Sequence, residues 1–183
     1  MKELSLNILD VAKNSVSAGA SLIEIFLNED DNGMLTLSIN DNGCGMNEEV
    51  LKGVTNPFYT TRKTRKVGMG LPLLKMAAEQ TGGELKITSS VKEGESGTRL
   101  EATFNTRSID FMPIGDIIST VCILIAGSPD IDFDFADVSP RGSVTLKTAE
   151  LRAVLGDISL AEPEIQQWIK GYLEEQYQSL GNQ

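Results

Sequence analysis

The sequence predicts an α+β protein: a two-layer α/β arrangement of helices over a short strand-rich sheet, followed by an acidic α+β extension. Three observations carry that expectation. Residues 3–18 show helical periodicity, Leu35, Leu37 and Ile39 alternate with Thr36, Ser38 and Asn40, and the charge balance breaks near Thr106-Arg107-Ser108. Residues 1–107 hold 14 acids and 12 bases, net −2, and residues 108–183 hold 12 acids and 4 bases, net −8, giving the −10 of the 183-residue chain. The split predicts a near-neutral unit at 1–107 and an acidic extension at 108–183.

The elements follow in order. After the first helix, residues 22–28 and 34–40 read as strands, joined by the turn Asp30-Asp31-Asn32-Gly33, where the glycine supplies positive φ. A Gly-rich loop covers 41–46, and a short helix covers 47–53 with Asn47 as its N-cap. Residues 54–68 read as irregular and basic. A helix runs from about Gly70 to Thr81 and stops at Gly82-Gly83, and strands follow at 84–90 and 98–105. In the extension a helix is expected at about 114–126. Asp130 to Phe135 alternates strictly, putting Ile131, Phe133 and Phe135 towards a core and the aspartates outward, and a partner strand is expected near 143–147. A final helix at about 161–178 places Ile165, Trp168, Ile169 and Tyr172 on one face, read as core packing, with Pro163 in its first turn.

Composition removes several chemistries. The chain has no histidine, which excludes a Ser-His-Asp triad, a Cys-His pair, an H-E-x-x-H zinc site and a phosphoacceptor histidine within it. Two cysteines, Cys44 and Cys122, are too few for a disulfide framework, and a reduced, cytoplasmic protein is expected. No signal peptide is read at the N-terminus, and Ile117 to Ala126 is too short to span a bilayer, so no membrane association is expected. The acidic balance argues against direct nucleic-acid binding.

Three segments carry candidate chemistry. Asn7, Asp10 and Asn14 are spaced by three and four on one face of the first helix. That stripe reads either as a solvated polar face or as a set of oxygen ligands for Mg²⁺ and phosphate. Asp41-Asn42-Gly43-Cys44-Gly45-Met46 follows a strand directly. It reads either as an Asx-Gly turn or as a loop where glycines admit a flat ligand and a carboxylate accepts from an exocyclic amine. Thr60-Thr61-Arg62-Lys63-Thr64-Arg65-Lys66 puts four cations within five residues, just before Gly68-Met69-Gly70-Leu71 opens a helix. Phosphate binding at the helix N-terminus explains that cluster better than a solvated loop does. A Walker A loop is absent.

These segments, with Gly97-Thr98 on a later strand, occur in one order over residues 7–104. The combination resembles the GHKL superfamily of ATP-binding domains: DNA gyrase B, the ninety-kilodalton heat-shock chaperone, sensor histidine kinases and mismatch-repair ATPases. The resemblance covers nearly all of residues 1–106 and implies a Bergerat α/β sandwich, a mixed sheet under helices. It implies that Asn14 coordinates Mg²⁺ and that Asp41 bonds the adenine amine. Gly43, Gly45 and Met46 line the purine loop, and Phe58 in Asn56-Pro57-Phe58-Tyr59 matches the F-box. Thr60, Thr61, Arg62, Lys63, Gly68, Met69, Gly70 and Leu71 form the phosphate side, and Thr98 sits near the adenine through water. Asn14 to Ile25 and Asp41 to Met46 look most like mismatch-repair ATPases, and Pro57 to Thr98 more like histidine kinases. The whole chain is also similar to small stand-alone ATP-binding proteins of anaerobic bacteria, sometimes found near iron-hydrogenase genes.

Asp10 departs from the pattern. Hydrolysing members carry a glutamate four residues before the N-box asparagine, and here the carboxylate is one methylene shorter. The implied cofactors are ATP and Mg²⁺. The expected activity is slow ATP hydrolysis or phosphotransfer, with Asp10 as base, coupled to regulation of a protein partner. Two alternatives stand beside it: a non-hydrolysing ATP-gated binding module and an anti-sigma-type protein-serine kinase. A histidine autokinase is disfavoured, because neither a histidine nor a dimerisation hairpin precedes the domain. The lid, roughly 59–67, is short, so closure over ATP either needs a partner or does not occur. The acidic strand face of the extension reads as solvated, as a cation site, or as a surface docking on the basic lid or a basic partner. Oligomeric state stays open, with a homodimer among the options.

Overall fold

The computed structural model describes residues 3–56 and 70–181. Its elements are α1 (Leu4–Ser17), β1 (Leu22–Glu29), β2 (Met34–Asp41), α2 (Glu48–Gly53), α3 (Gly70–Gln80), β3 (Leu85–Ser90), β4 (Gly97–Asn105), α4 (Ile117–Gly127), β5 (Asp132–Ser139), β6 (Gly142–Lys147), α5 (Thr148–Leu155) and α6 (Pro163–Gly181). Six strands form one mixed sheet in the order β3-β4-β2-β1-β5-β6. Every neighbouring pair is antiparallel except β1 with β5.

Period-two patterning builds the sheet. In β1 and β2 the residues Ile23, Ile25, Leu27, Leu35, Leu37 and Ile39 are buried while their neighbours are not. The hairpin between them turns as the sequence predicts. Asp30 Oδ1 accepts from the N–H groups of Asn32 and Met34, both at 2.9 Å, and Gly33 takes φ +78°. α1 buries Leu4, Ile8, Val11 and Ala12 against that sheet. Asn47 caps α2, accepting from Val50 N–H at 2.9 Å.

Residues 108–181 complete the same sheet and the same core. β5 lies beside β1 in parallel, aligning Phe133 with Ile23 and Phe135 with Ile25. Phe133, Phe135, Val144, Leu146, Leu160, Ile169 and Leu173 join one apolar cluster with Leu4, Ile8 and Leu100. The segment before α4 also finishes α1. Glu3 makes no side-chain cap, and instead the N–H groups of Leu4 and Ser5 donate to the carbonyls of Pro113 and Ile114 at 2.9 and 2.8 Å. That use of Pro113 and Ile114 delays α4 to Ile117, three residues later than periodicity suggests, with Asp116 capping through Ser119 N–H at 2.9 Å. At the far edge, Gln176 of α6 clasps the backbone of β6: its Oε1 accepts from Thr145 N–H at 2.9 Å and its Nε2 donates to Thr145 C=O at 3.1 Å.

Four expectations need correction. α5 has no counterpart in the sequence reading: it follows β6 without a loop and has no side-chain cap. Trp168 and Tyr172 are not core residues. α6 turns Ile169 and Leu173 inward, which leaves Trp168 and Tyr172 exposed on a neighbouring stripe. Asn7 is fully buried with its amide 3.5 Å from the Met112 sulfur, so it leaves the solvent-reachable stripe that Asp10 and Asn14 were read to share with it. The strand aspartates are neutralised rather than metal-ready: Asp132 pairs with Arg152 at 2.8 Å and Asp134 with Lys147 at 4.0 Å. Among the described residues no group of His, Cys, Asp or Glu could hold a metal ion.

Asp137 is the exception on β5, pointing to the helical side. Burial holds its carboxyl above the ordinary range. The Tyr177 hydroxyl, donating at 2.7 Å, and Arg141 oppose that rise, while Glu29 adds to it. A carboxyl whose pKa is higher folded than unfolded favours folding in its protonated form. That contribution is full below the unfolded pKa and is lost as pH rises through the folded one. Asp137→Asn keeps an oxygen for Tyr177, so it is expected to melt higher than wild type at neutral pH, with the gap closing as pH falls into the carboxylate range. Thermal melts across pH check this, and a gap independent of pH counts against it.

Candidate functional site

The site is built where β2 ends. Asp41 is the last residue of β2, opposite Thr98 of β4. Its carboxylate is held from two sides. Oδ2 accepts from the Ser15 hydroxyl of α1 at 2.6 Å, and Oδ1 accepts from the N–H groups of Gly43 and Thr98 at 3.0 and 3.2 Å. A half-buried carboxylate with three donors stays in one rotamer, so its remaining lone-pair capacity has a fixed direction.

The loop after Asp41 is anchored along its length. Asn42 Oδ1 accepts from Ser21 and Leu22 N–H at 2.9 and 3.0 Å, and Cys44 N–H donates to Ala18 C=O at 2.9 Å. Met46 N–H donates to the Ser89 hydroxyl at 2.8 Å. That hydroxyl donates in turn to Gly97 C=O at 2.7 Å and lies 2.9 Å from the Thr98 hydroxyl. Gly45 has φ +69°, and a Cβ there would land on the Ser90 carbonyl. A Cβ at Gly43 would come within 2.9 Å of Ala18. The loop glycines therefore secure the loop's path against protein backbone. Gly45→Ala would combine a left-handed φ with that backbone collision. A loss of at least about 2 kcal/mol is expected, lowering the melting temperature by roughly 4–8 °C. A thermal melt matching wild type counts against this reading.

α1 carries the second half of the site. Asp10 is half-buried and Asn14, one turn on, is exposed. The first residue of α3 packs on Asp10: a Cβ at Gly70 would lie 3.4 Å from Asp10 Cβ and 3.7 Å from its Oδ2. The missing side chain thus lets the start of α3 pack closely on Asp10. Leu71 packs partly buried against the core beside it.

The structure thus joins Asp41, Gly43 and Thr98 by direct hydrogen bonds, ties Met46 to them through Ser89, and sets Asp10 against Gly70. Phe58, Thr60, Thr61, Arg62, Lys63, Gly68 and Met69 lie outside the described residues. Sequence reasoning missed Ser15 and Ser89. Ser15 stands next to Asn14, four positions from the helix end's glycine, and could have been weighed as an inward neighbour. Ser89 becomes legible only once the register pairs it with Thr98.

Comparison with known proteins gives the family and the fold. A putative sensor protein of Shewanella frigidimarina is 35% identical over 95 residues, covering 51% of this chain and 14% of that protein. Sporulation kinase E of Bacillus subtilis is 32% identical over 94 residues, covering 51% of this chain and 12% of that protein. The chain therefore spans about a seventh or less of these curated relatives. Among solved structures, the Aquifex aeolicus MutL ATPase domain complexed with ADP superimposes with a TM-score of 0.52 at 14% identity, covering 85% of this chain and 69% of that one. The N-terminal domain of a DNA repair protein gives a TM-score of 0.59 at 15% identity, covering 80% of this chain and 53% of that one. Both share the fold, and their coverage exceeds what residues 1–108 make up. Residues 1–108 match the family model described as histidine kinase-, DNA gyrase B- and HSP90-like ATPase, and the chain belongs to that family.

Proposed function

We propose that the chain binds Mg-ATP at the Asp41 site and couples it, through slow hydrolysis or phosphotransfer, to the regulation of a partner protein. The observation that carries this is the Asp41 carboxylate, held by Ser15, Gly43 and Thr98 with capacity left for one more donor. An exocyclic amine is a donor of that kind. Family membership supports the nucleotide assignment, and the fold is shared with a MutL ATPase domain complexed with ADP. The donor set fits the group. Asp41 and Thr98 would hold the base, with Gly43, Gly45 and Met46 shaping the loop beside it. Asn14 would supply a hard oxygen to Mg²⁺. Gly70 and Leu71 open α3, whose first N–H groups favour phosphate oxygens. Bound ATP would supply a transferable phosphoryl group. Asp10, one helical turn before Asn14, would hold the attacking oxygen's proton.

A binding-module reading has an observation of its own. α4 of the extension packs directly on α1, the helix that carries Asp10 and Asn14. A shift of α1 on nucleotide binding would therefore reach the extension without any chemistry.

Calorimetry of Mg-ATP with the wild type and Asp41→Asn tests the shared premise. Asn keeps an acceptor for Gly43 and Thr98 but removes the charge. Hydrogen bonds to a charged group contribute about 1.5–3 kcal/mol, so affinity is expected to fall roughly tenfold to a hundredfold. Equal affinity in the variant sinks the role of Asp41, and no binding by the wild type sinks the nucleotide reading.

A further inference from the structure

α6 presents a second surface, remote in chemistry from the carboxylate site. Its buried stripe holds Ile169 and Leu173. Trp168 and Tyr172, one turn apart, stand on the adjoining stripe at 52% and 38% exposure. Their rings stack with centroids 5.1 Å apart and planes 9° from parallel. Glu164 lies one turn before Trp168 and Glu175 three residues after Tyr172, so carboxylates bracket the pair along one helix face. Neither forms an ion pair among the described residues. The single cation of α6, Lys170, is two positions from Trp168 and so points away, and it faces Glu174 at 3.8 Å. The helix itself is held further along, where Gln176 clasps Thr145 of β6. An ordered aromatic pair on a held helix has little left to lose on binding.

The chemistry of that stripe selects its occupant. Indole and phenol ring faces carry negative quadrupole, and two unpaired carboxylates flank them. A guanidinium can stack on the indole and offer its fork to a carboxylate at once, which an ammonium cannot. The surrounding extension, net −8, steers cations inward. A second copy of this chain, at net −10, is repelled by the same field. We propose that the Glu164–Trp168–Tyr172–Glu175 stripe of α6 is the docking surface for a basic, arginine-bearing segment of a partner protein. The proposal does not depend on nucleotide binding.

Trp168 is the chain's only tryptophan, so its emission reports on this stripe alone. The probe is a synthetic peptide of arginine, leucine and alanine, with a counterpart in which citrulline replaces each arginine, both titrated into the full chain without nucleotide. The arginine peptide is expected to change Trp168 emission saturably, and the citrulline peptide to bind about tenfold more weakly or worse. Trp168→Ala and the Glu164→Gln/Glu175→Gln double variant, read by calorimetry, are each expected to weaken binding about tenfold with unchanged thermal melts. No saturable binding overturns the proposal. So does equal binding of the citrulline peptide, which would mean plain apolar docking. Variants that bind as tightly as wild type overturn it too, since the peptide then sits elsewhere on the acidic surface. Finally, a concentration-dependent rise in mass that shifts Trp168 emission without peptide would assign the stripe to a second copy.

Discussion

Phosphate release from Mg-ATP is expected to fall about a hundredfold to ten-thousandfold in Asp10→Asn, while ATP affinity stays close to wild type. The substitution keeps shape and removes the base. Asn fills the same space against Gly70, where the contacts run through Cβ and the carboxylate edge, so α1 and α3 keep their packing. Asp41, Ser15 and Thr98 are untouched, so the base recognition proposed for them is expected to persist. Only the capacity to take a proton disappears. Single-turnover phosphate release with calorimetry alongside separates the two effects. Release unchanged by the variant would remove Asp10 from the chemistry. A wild type that binds ATP and releases nothing would favour the ATP-gated module or transfer to an added protein.

Phe133→Ala is expected to cost about 3–5 kcal/mol and to lower a single unfolding transition of the whole chain. Phe133 is among the largest fully buried side chains, and it lies on β5 opposite Ile23 of β1. The cavity would open between the extension and β1, whose Ile23 is paired with Asp41 of β2. With a shared core, the loss should be felt by both units together, and protection of the site by ATP should fade at the same temperature as the extension melts. Calorimetric scans with and without ATP check this. Two separate transitions, with only the second sensitive to ATP, would show that residues 108–183 fold on their own terms.

Much of the first unit was legible because its signals are local. α1, β1 and β2 announce themselves by period, Asn47 by its N-cap chemistry, and α3 by its glycine stop. Asp41 was readable because a carboxylate at a strand end followed by two glycines constrains the backbone by itself. What escaped depends on distant pairing. Nothing local says that β5 lies parallel to β1 across more than a hundred residues of chain, and that pairing alone merges the extension with the first sheet. α5 was hidden because its N-cap is Lys147, a side chain that accepts no hydrogen bond, and it starts directly where β6 ends. Trp168 misled because it adjoins Ile169 on the helix, and a wheel cannot tell which flank of an apolar stripe the core will cover. The readings at Phe58, Thr60, Thr61, Arg62, Lys63, Gly68 and Met69 rest on sequence alone.

The Gln176 clasp has a consequence for assembly. A sheet lengthens only from an end whose backbone is unspent. β6 has committed its Thr145 N–H and C=O to a side chain of its own molecule. The middle of the β6 edge is therefore withdrawn from strand addition, like a capped group in a condensation. Among the described residues, β3 at the opposite end has no strand on its outer side. Growth into a filament would require the amide to let go first.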